Sequence, residues 1–182
     1  SELFIEWYLE KHLKLNLNDS EKNEFQNILE RHFNSLTLKQ NILVLRDFHA
    51  DNLIYLNDRD GVHQLGLIDY QDALIGSSAY DFVSLIEDVR HPIKDDLKNS
   101  LVEMYSKLIS VDQNELKKGI SFYSIQRNLK IVGIFSRLKY RDDKNNYFPM
   151  IEVAMGFIKN HLKDNEYKDL NNWMNNIMNN SL

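Results

Sequence analysis

The stretch VLRDFHADNL, residues 44–53, decides how the rest of the chain is read. It sets Asp47, His49, Asp51 and Asn52 close together, directly after an apolar run. A strand that ends in so dense a polar cluster either runs into a solvated turn or presents a reaction centre. Asp and Asn both favour turns, so Asp47 and Asn52 taken alone fit the first reading as well as the second. The neighbouring segments separate the two.

Upstream, NILVLRD (41–47) is a short apolar run with β-branched members, which predicts a strand. Downstream, NLIYLNDRDGVHQLGLID (52–69) holds two apolar runs, 53–56 and 65–68, joined by the polar, Gly-containing segment 57–64; this predicts a β-hairpin. Asp69 closes its second strand. An Asp, an Asn, a hairpin and then an Asp at a strand end is the order of the kinase catalytic machinery. The chemistry explains the residue types. Phosphoryl transfer needs a hydroxyl held in line and charge neutralised on the phosphate oxygens. Asp47 is the carboxylate that orients the hydroxyl and accepts its proton. Mg²⁺ takes hard oxygen ligands, mostly water and phosphate, with one or two from the protein. Asn52 offers a neutral oxygen and Asp69 an anionic one.

Around this centre the pattern is helical. Ile5, Leu9 and Leu13 predict a helix over 2–14, and Asp19-Ser20 reads as the N-cap of a second helix over 20–35. Helices are predicted over 79–90, where Pro92 stops that helix or starts the next at its first turn, then around 97–108, and over 113–139, 147–162 and 167–179. The expected fold is α+β, mostly α: a helical bundle with a small β-hairpin region that carries the catalytic loop. It is expected as a single domain over 1–182 with no internal boundary.

Composition narrows the function. With 27 acidic and 22 basic residues, the formal net charge of −5 argues against a nucleic-acid partner. There are no cysteines, so thiolate metal sites and disulfides are excluded. No apolar run reaches the roughly 20 residues of a membrane span. The opening SELFIEWYLEKH lacks the basic start of a signal peptide, so a cytoplasmic location is expected.

The segment from Leu45 to Arg90 resembles the catalytic lobe of the aminoglycoside phosphotransferase-like kinases. Asp47, His49 and Asn52 match the D-x-H-x-x-N form of that family's catalytic loop. Asp69 matches its metal-binding Asp, and GSSAYDFVSL (76–85) matches its G-x-x-x-Y-D-x-x-S/A-L segment. QRNLKIVGIFSRLKYRD (126–142) and LFIEWYL (3–9) resemble the branch that phosphorylates the anomeric hydroxyl of N-acetylmuramate and N-acetylglucosamine. The resemblance implies a protein-kinase-like C-terminal lobe using ATP and Mg²⁺, with a nucleotide and a small-molecule acceptor as partners. It makes Asp47 catalytic, Asn52 and Asp69 metal ligands, and Asp81 an anchor of the catalytic loop through backbone hydrogen bonds. Two departures stand out. Leu45 replaces the family's usual His, and Gln71 stands where protein kinases have the Gly of DFG, which is ordinary in this family.

The glycines fall at 61, 66, 76, 119, 133 and 156, so no G-x-G-x-x-G is present, and no Lys can be assigned as the phosphate-binding one. The chain is therefore expected to be the C-terminal lobe of a longer protein. Its nucleotide-binding N-lobe would be missing in cis, and the isolated lobe inactive.

Other polar residues divide. His49 is read as loop support, and Arg46 as support that pairs with a local carboxylate. Asp51 is read as solvated and Asp72 as a turn residue. Gln126 and Lys130 share a helix face with Arg127 nearby. Periodicity favours a solvated stripe there; the functional alternative is a polar wall that binds the acceptor. Arg137 and Arg141 extend that wall and suit an anionic or oxygen-rich acceptor better than a polycationic aminoglycoside. Rival readings are a choline or aminoglycoside kinase, a non-catalytic kinase-like binding module, and a helical interaction domain.

Overall fold

The computed structural model describes residues 2–38 and 40–179. In chain order it has a π-helical segment Phe4–His12, α1 (Asp19–Asn34), β1 (Ile42–Val44), β2 (Leu53–Tyr55), β3 (Leu65–Leu67) and β4 (Leu74–Gly76). Then come α2 (Ser78–Ile86), α3 (Asp95–Leu108), α4 (Gln113–Asp142), α5 (Met150–His161) and α6 (Lys168–Asn179). The chain is mostly helical, with two small antiparallel sheets. It forms two compact units: Thr37–Tyr123, and the described part of Ser1–Leu36 with Ser124–Leu182. Neither limit falls at a change of composition, and one lies inside α4.

The terminal unit is built on aromatic packing. Phe25 of α1 lies 4.6 Å from the Trp173 ring of α6, and Phe4 stacks on Phe25 at 6.0 Å. The Trp173 indole donates to the Glu21 carbonyl at 3.1 Å, so its one polar atom is satisfied in the core. The α1 cap is Asn18 rather than the expected Asp19-Ser20. Its side chain accepts from Glu21 N while the Glu21 carboxylate accepts from Asn18 N, a reciprocal capping box. The segment before it is helical as predicted, but π-wound, with Leu13 N donating to Tyr8 O five residues back. Gly133 of α4 lets that segment approach. A Cβ there would lie 2.4 Å from the Leu3 carbonyl carbon.

The central unit holds the strands. β1 pairs with β4, Ile42 opposite Gly76, and β2 pairs with β3, Leu53 opposite Leu67. The predicted hairpin is present with three-residue strands; β4 was not expected. Its LIG run is short, and its strand character comes from the partner β1. α2 packs beside α3 through Phe82 on Tyr105, stacked at 4.2 Å, and the Tyr105 hydroxyl donates to Ser78 O at 2.8 Å. α2 ends at Ile86, well before Pro92. The apolar stripe continues to Val89, but the Asp88 carboxylate accepts from Arg90 N at 2.9 Å and turns the chain out of the helix. Among the described residues no helix is long and apolar enough to cross a membrane.

Candidate active site

The loop after β1 is shaped by its own polar groups. Val44 is buried at the strand end, and the next two amides are captured by one side chain. Leu45 N and Arg46 N donate to the two Asp81 carboxylate oxygens at 2.7 and 3.0 Å. Asp81 sits in the first turn of α2, where an acid is also favoured by the helix dipole. Arg46 adopts φ +71°, a left-handed conformation uncommon for a residue with a Cβ. The expected ion pair of Arg46 is corrected: its amide meets the carboxylate, and its guanidinium has no ion-pair partner among the described residues.

Past Arg46, His49 N donates to Asp47 O at 3.2 Å and Asn52 N to His49 O at 3.0 Å, closing a short 3₁₀ turn, Ala50–Asn52, into β2. The Asn52 amide nitrogen donates to the same Asp47 carbonyl at 2.8 Å. It also lies 3.4 Å from His49 Nε2, which places His49 against the loop. This orientation turns Asn52 Oδ1 away from the Asp47 carbonyl, since an oxygen cannot donate to it.

The hairpin returns Asp69 to the same end. Ile68 N donates to Asn52 O at 3.2 Å, so the β2–β3 pairing runs one residue past Leu53 and Leu67. Asp69 comes next, at φ +60°. Its Oδ1 accepts from the Gln71 amide nitrogen. The chain then turns, Ala73 N donating to Tyr70 O at 3.1 Å, with Asp72 inside that turn. Other non-glycine residues at positive φ are Lys14, Ser110 and Asp143, each just after a helix, an ordinary place for one. Arg46 and Asp69 have no such helix end behind them. Both flank the polar cluster, where strained backbone commonly marks function.

Four oxygens of this centre are open. The exposed Asp47 carboxylate, Asn52 Oδ1 and Asp69 Oδ2 have no partner among the described residues, whereas the Asp47 carbonyl, the Asn52 amide nitrogen and Asp69 Oδ1 are held within the loop. Among the described residues no group of three His, Cys, Asp or Glu gathers as a metal cluster. One amide oxygen and one carboxylate oxygen are the hard donors a small divalent cation takes when phosphate and water complete its shell.

Asp51 is exposed, as expected of a solvated residue, but it is also paired. It accepts from His91 Nε2 at 2.8 Å and lies 3.4 Å from Arg90 Nε. The His91 hydrogen bond, helped by the charges of Arg90 and His49, holds its carboxyl below the usual range. These partners, and Gln71, are site residues that spacing did not suggest. Gln126, Arg127 and Lys130 lie in α4 and belong to the terminal unit, while Asp47, Asn52 and Asp69 belong to the central one. The solvated-stripe reading fails for Arg127, which is 5% exposed. Gln126 is half-buried, and its Oε1 is buried without a hydrogen-bond partner among the described residues. Burial here depends on the tertiary fold, which the helical period of α4 alone does not reveal.

The chain belongs to the phosphotransferase enzyme family, whose family model matches residues 1–115. Among curated proteins it is similar to an N-acetylmuramate/N-acetylglucosamine kinase of Neisseria meningitidis serogroup B, 31% identical over 86% of this chain and 48% of that protein. A protein of the same description from Caulobacter vibrioides is 30% identical over 70% of this chain and 36% of its own length. One from Pseudomonas putida is 29% identical over 86% and 47%. The chain thus spans about half the length, or less, of the curated relatives it matches.

Proposed function

We propose that the whole protein moves the γ-phosphoryl group of ATP to a hydroxyl of an amino sugar or similar small acceptor, and that this chain is its C-terminal lobe. The observation that supports the reading is the Ile68 N to Asn52 O bond, which pairs Asn52 with Ile68 and so brings Asp69, the next residue, back to the same end of the hairpin. Asp47 lies on the loop leading into that end, its backbone gripped by Asn52. Its exposed carboxylate orients the acceptor hydroxyl and takes its proton. Asn52 Oδ1 and Asp69 would hold Mg²⁺, which supplies positive charge to the phosphate oxygens when bound. Asp81 and the loop's own hydrogen bonds keep Asp47 in place, which favours reaction because no reorganisation is needed at the transition state.

The nucleotide-binding lobe is proposed to lie in the part of the protein that the longer relatives have and this chain lacks. The strand region supports that. Leu65, Leu67, Ile68, Tyr70 and Ile75 are exposed apolar side chains next to the site, a surface that a soluble protein ordinarily covers. The isolated chain is therefore expected to be inactive.

The test is ADP release by the protein extended to its natural N-terminus, with Mg²⁺-ATP and N-acetylglucosamine, N-acetylmuramate, choline or kanamycin. Turnover with an amino sugar that Asp47→Asn abolishes is the expected result. Turnover with choline or kanamycin alone replaces the acceptor. Sugar binding without nucleotide binding replaces the kinase reading by a binding module.

A further inference from the structure

The sequence EDVRHP, residues 87–92, takes no part in the proposed reaction, yet Glu87, Asp88, Arg90 and His91 crowd four ionisable side chains into it. Asp88 is 1% exposed; its Oδ1 accepts from Arg90 N and lies 3.9 Å from Arg90 Nη1, while its Oδ2 is buried without a hydrogen-bond partner among the described residues. Beside it the buried Glu87 pairs with Lys98 of α3. A buried carboxylate is destabilising without its counter-ion, so Asp88 keeps the Arg90 guanidinium close. Arg90 and His91 then both reach Asp51, through Nε at 3.4 Å and Nε2 at 2.8 Å. A carboxylate only accepts, so Nε2 of His91 carries the proton in that bond.

Asp51 is the residue before Asn52. The start of the same loop, Leu45 and Arg46, is held by Asp81 in the first turn of α2. The far end is held by residues just past the last turn of α2. A nine-residue helix rises about 13 Å, so α2 acts as a strut whose two ends grip the two ends of the catalytic loop.

We infer that Asp51 is a positioning residue: Arg90 and His91, with Arg90 fixed by buried Asp88, clamp the Asn52 end of the loop as Asp81 clamps the Asp47 end. An ordinary surface ion pair loses most of its strength to side-chain ordering. Here one partner is already ordered, and the contact reaches a segment whose placement matters. Release of Asp51 loosens Asn52 first, so the loss falls on metal affinity ahead of the turnover rate.

The clamp rests on the phosphotransferase reading for its effect on turnover and not for its effect on the loop. Its test is amide hydrogen exchange over residues 45–53 in the protein extended to its natural N-terminus. Asp51→Ala, His91→Ala and the double variant are compared, with half-saturating Mg²⁺ and kcat measured alongside. Expected is loop exchange about threefold to tenfold faster in each single variant, with peptides of α2 unchanged. The double variant is expected to be no faster than the faster single one, because the two residues act through one contact. Asp51→Asn, which keeps an acceptor for His91, falls between. Half-saturating Mg²⁺ rises by more than kcat falls. Unchanged loop exchange in Asp51→Ala, or effects that add in the double variant, overturns the clamp. A protein that turns over no acceptor but shows the exchange pattern keeps the clamp and loses the phosphotransferase reading.

Discussion

The α1–α6 pair and the β-strand region obey different physics. In the first, Phe25, Leu170 and Trp173 are almost wholly buried, and apolar burial sets the geometry. In the second, Leu43, Leu65 and Ile75 stand more than half exposed, Ile75 at 66%. Three-residue strands with so little burial would hold poorly by themselves. What orders the loop between them is a set of polar tethers: Asp81 on two backbone amides, Asn52 on the Asp47 carbonyl, and Arg90 with His91 on Asp51. The difference teaches that stability and placement of reactive groups are separate tasks in this chain. Substitutions should divide along that line.

The largest expected effect tests the reactive end. Asp47→Asn in the protein extended to its natural N-terminus should cut turnover about 10³-fold, the scale of a lost general base held in position. Its far-UV circular dichroism should be unchanged. A parallel loss of helical signal would mean that Asp47 is structural, and the comparison would break. Trp173→Ala should do the reverse. Removing that ring from Phe25 and leaving Glu21 O without its donor should destabilise by about 3–5 kcal/mol in denaturant titration, with loop exchange at 45–53 unmoved. Asp81→Ala sits between the two. It leaves two amides without their acceptor, so about 1–3 kcal/mol of stability should go, and exchange of the Leu45 and Arg46 amides should rise with it.

The smallest effect concerns pH in the terminal unit. Burial pushes the Asp169 carboxyl up, but hydrogen bonds from His32, the Leu170 amide and Arg31 outweigh it, and the net displacement is downward. A lowered folded pKa gives stability that is present above the unfolded value, about 3.9. That stability is lost as pH falls through the lower folded value. Asp169→Asn should therefore be less stable than the parent above about pH 4, with the gap closing in more acid solution. The pair with Arg31 is solvent-screened, so the gap is on the order of 0.5 kcal/mol. A gap that does not narrow as the pH falls would assign the loss to packing.

Much of this chain is written in local patterns. The helices come from apolar spacing, the hairpin from two short runs around a polar segment, and the order Asp47, Asn52, Asp69 from the chain itself. Each depends on residues within a few positions of one another, so no knowledge of the fold is needed to see them. The early end of α2 escaped that reading because the Asp88 side chain overrode a stripe that ran on to Val89. β4 escaped it because three residues carry too little pattern without their partner β1. Arg127 read as exposed because a helical period says which residues share a face and not what covers that face. The pairing of Asp51 with His91 spans forty positions, and nothing in the intervening sequence specifies it. The sequence by itself determined which chemical groups are present and in what order. Tertiary structure alone decided which are buried, which are tethered and which are left open to react, because burial and long-range hydrogen bonds exist only once distant segments have met.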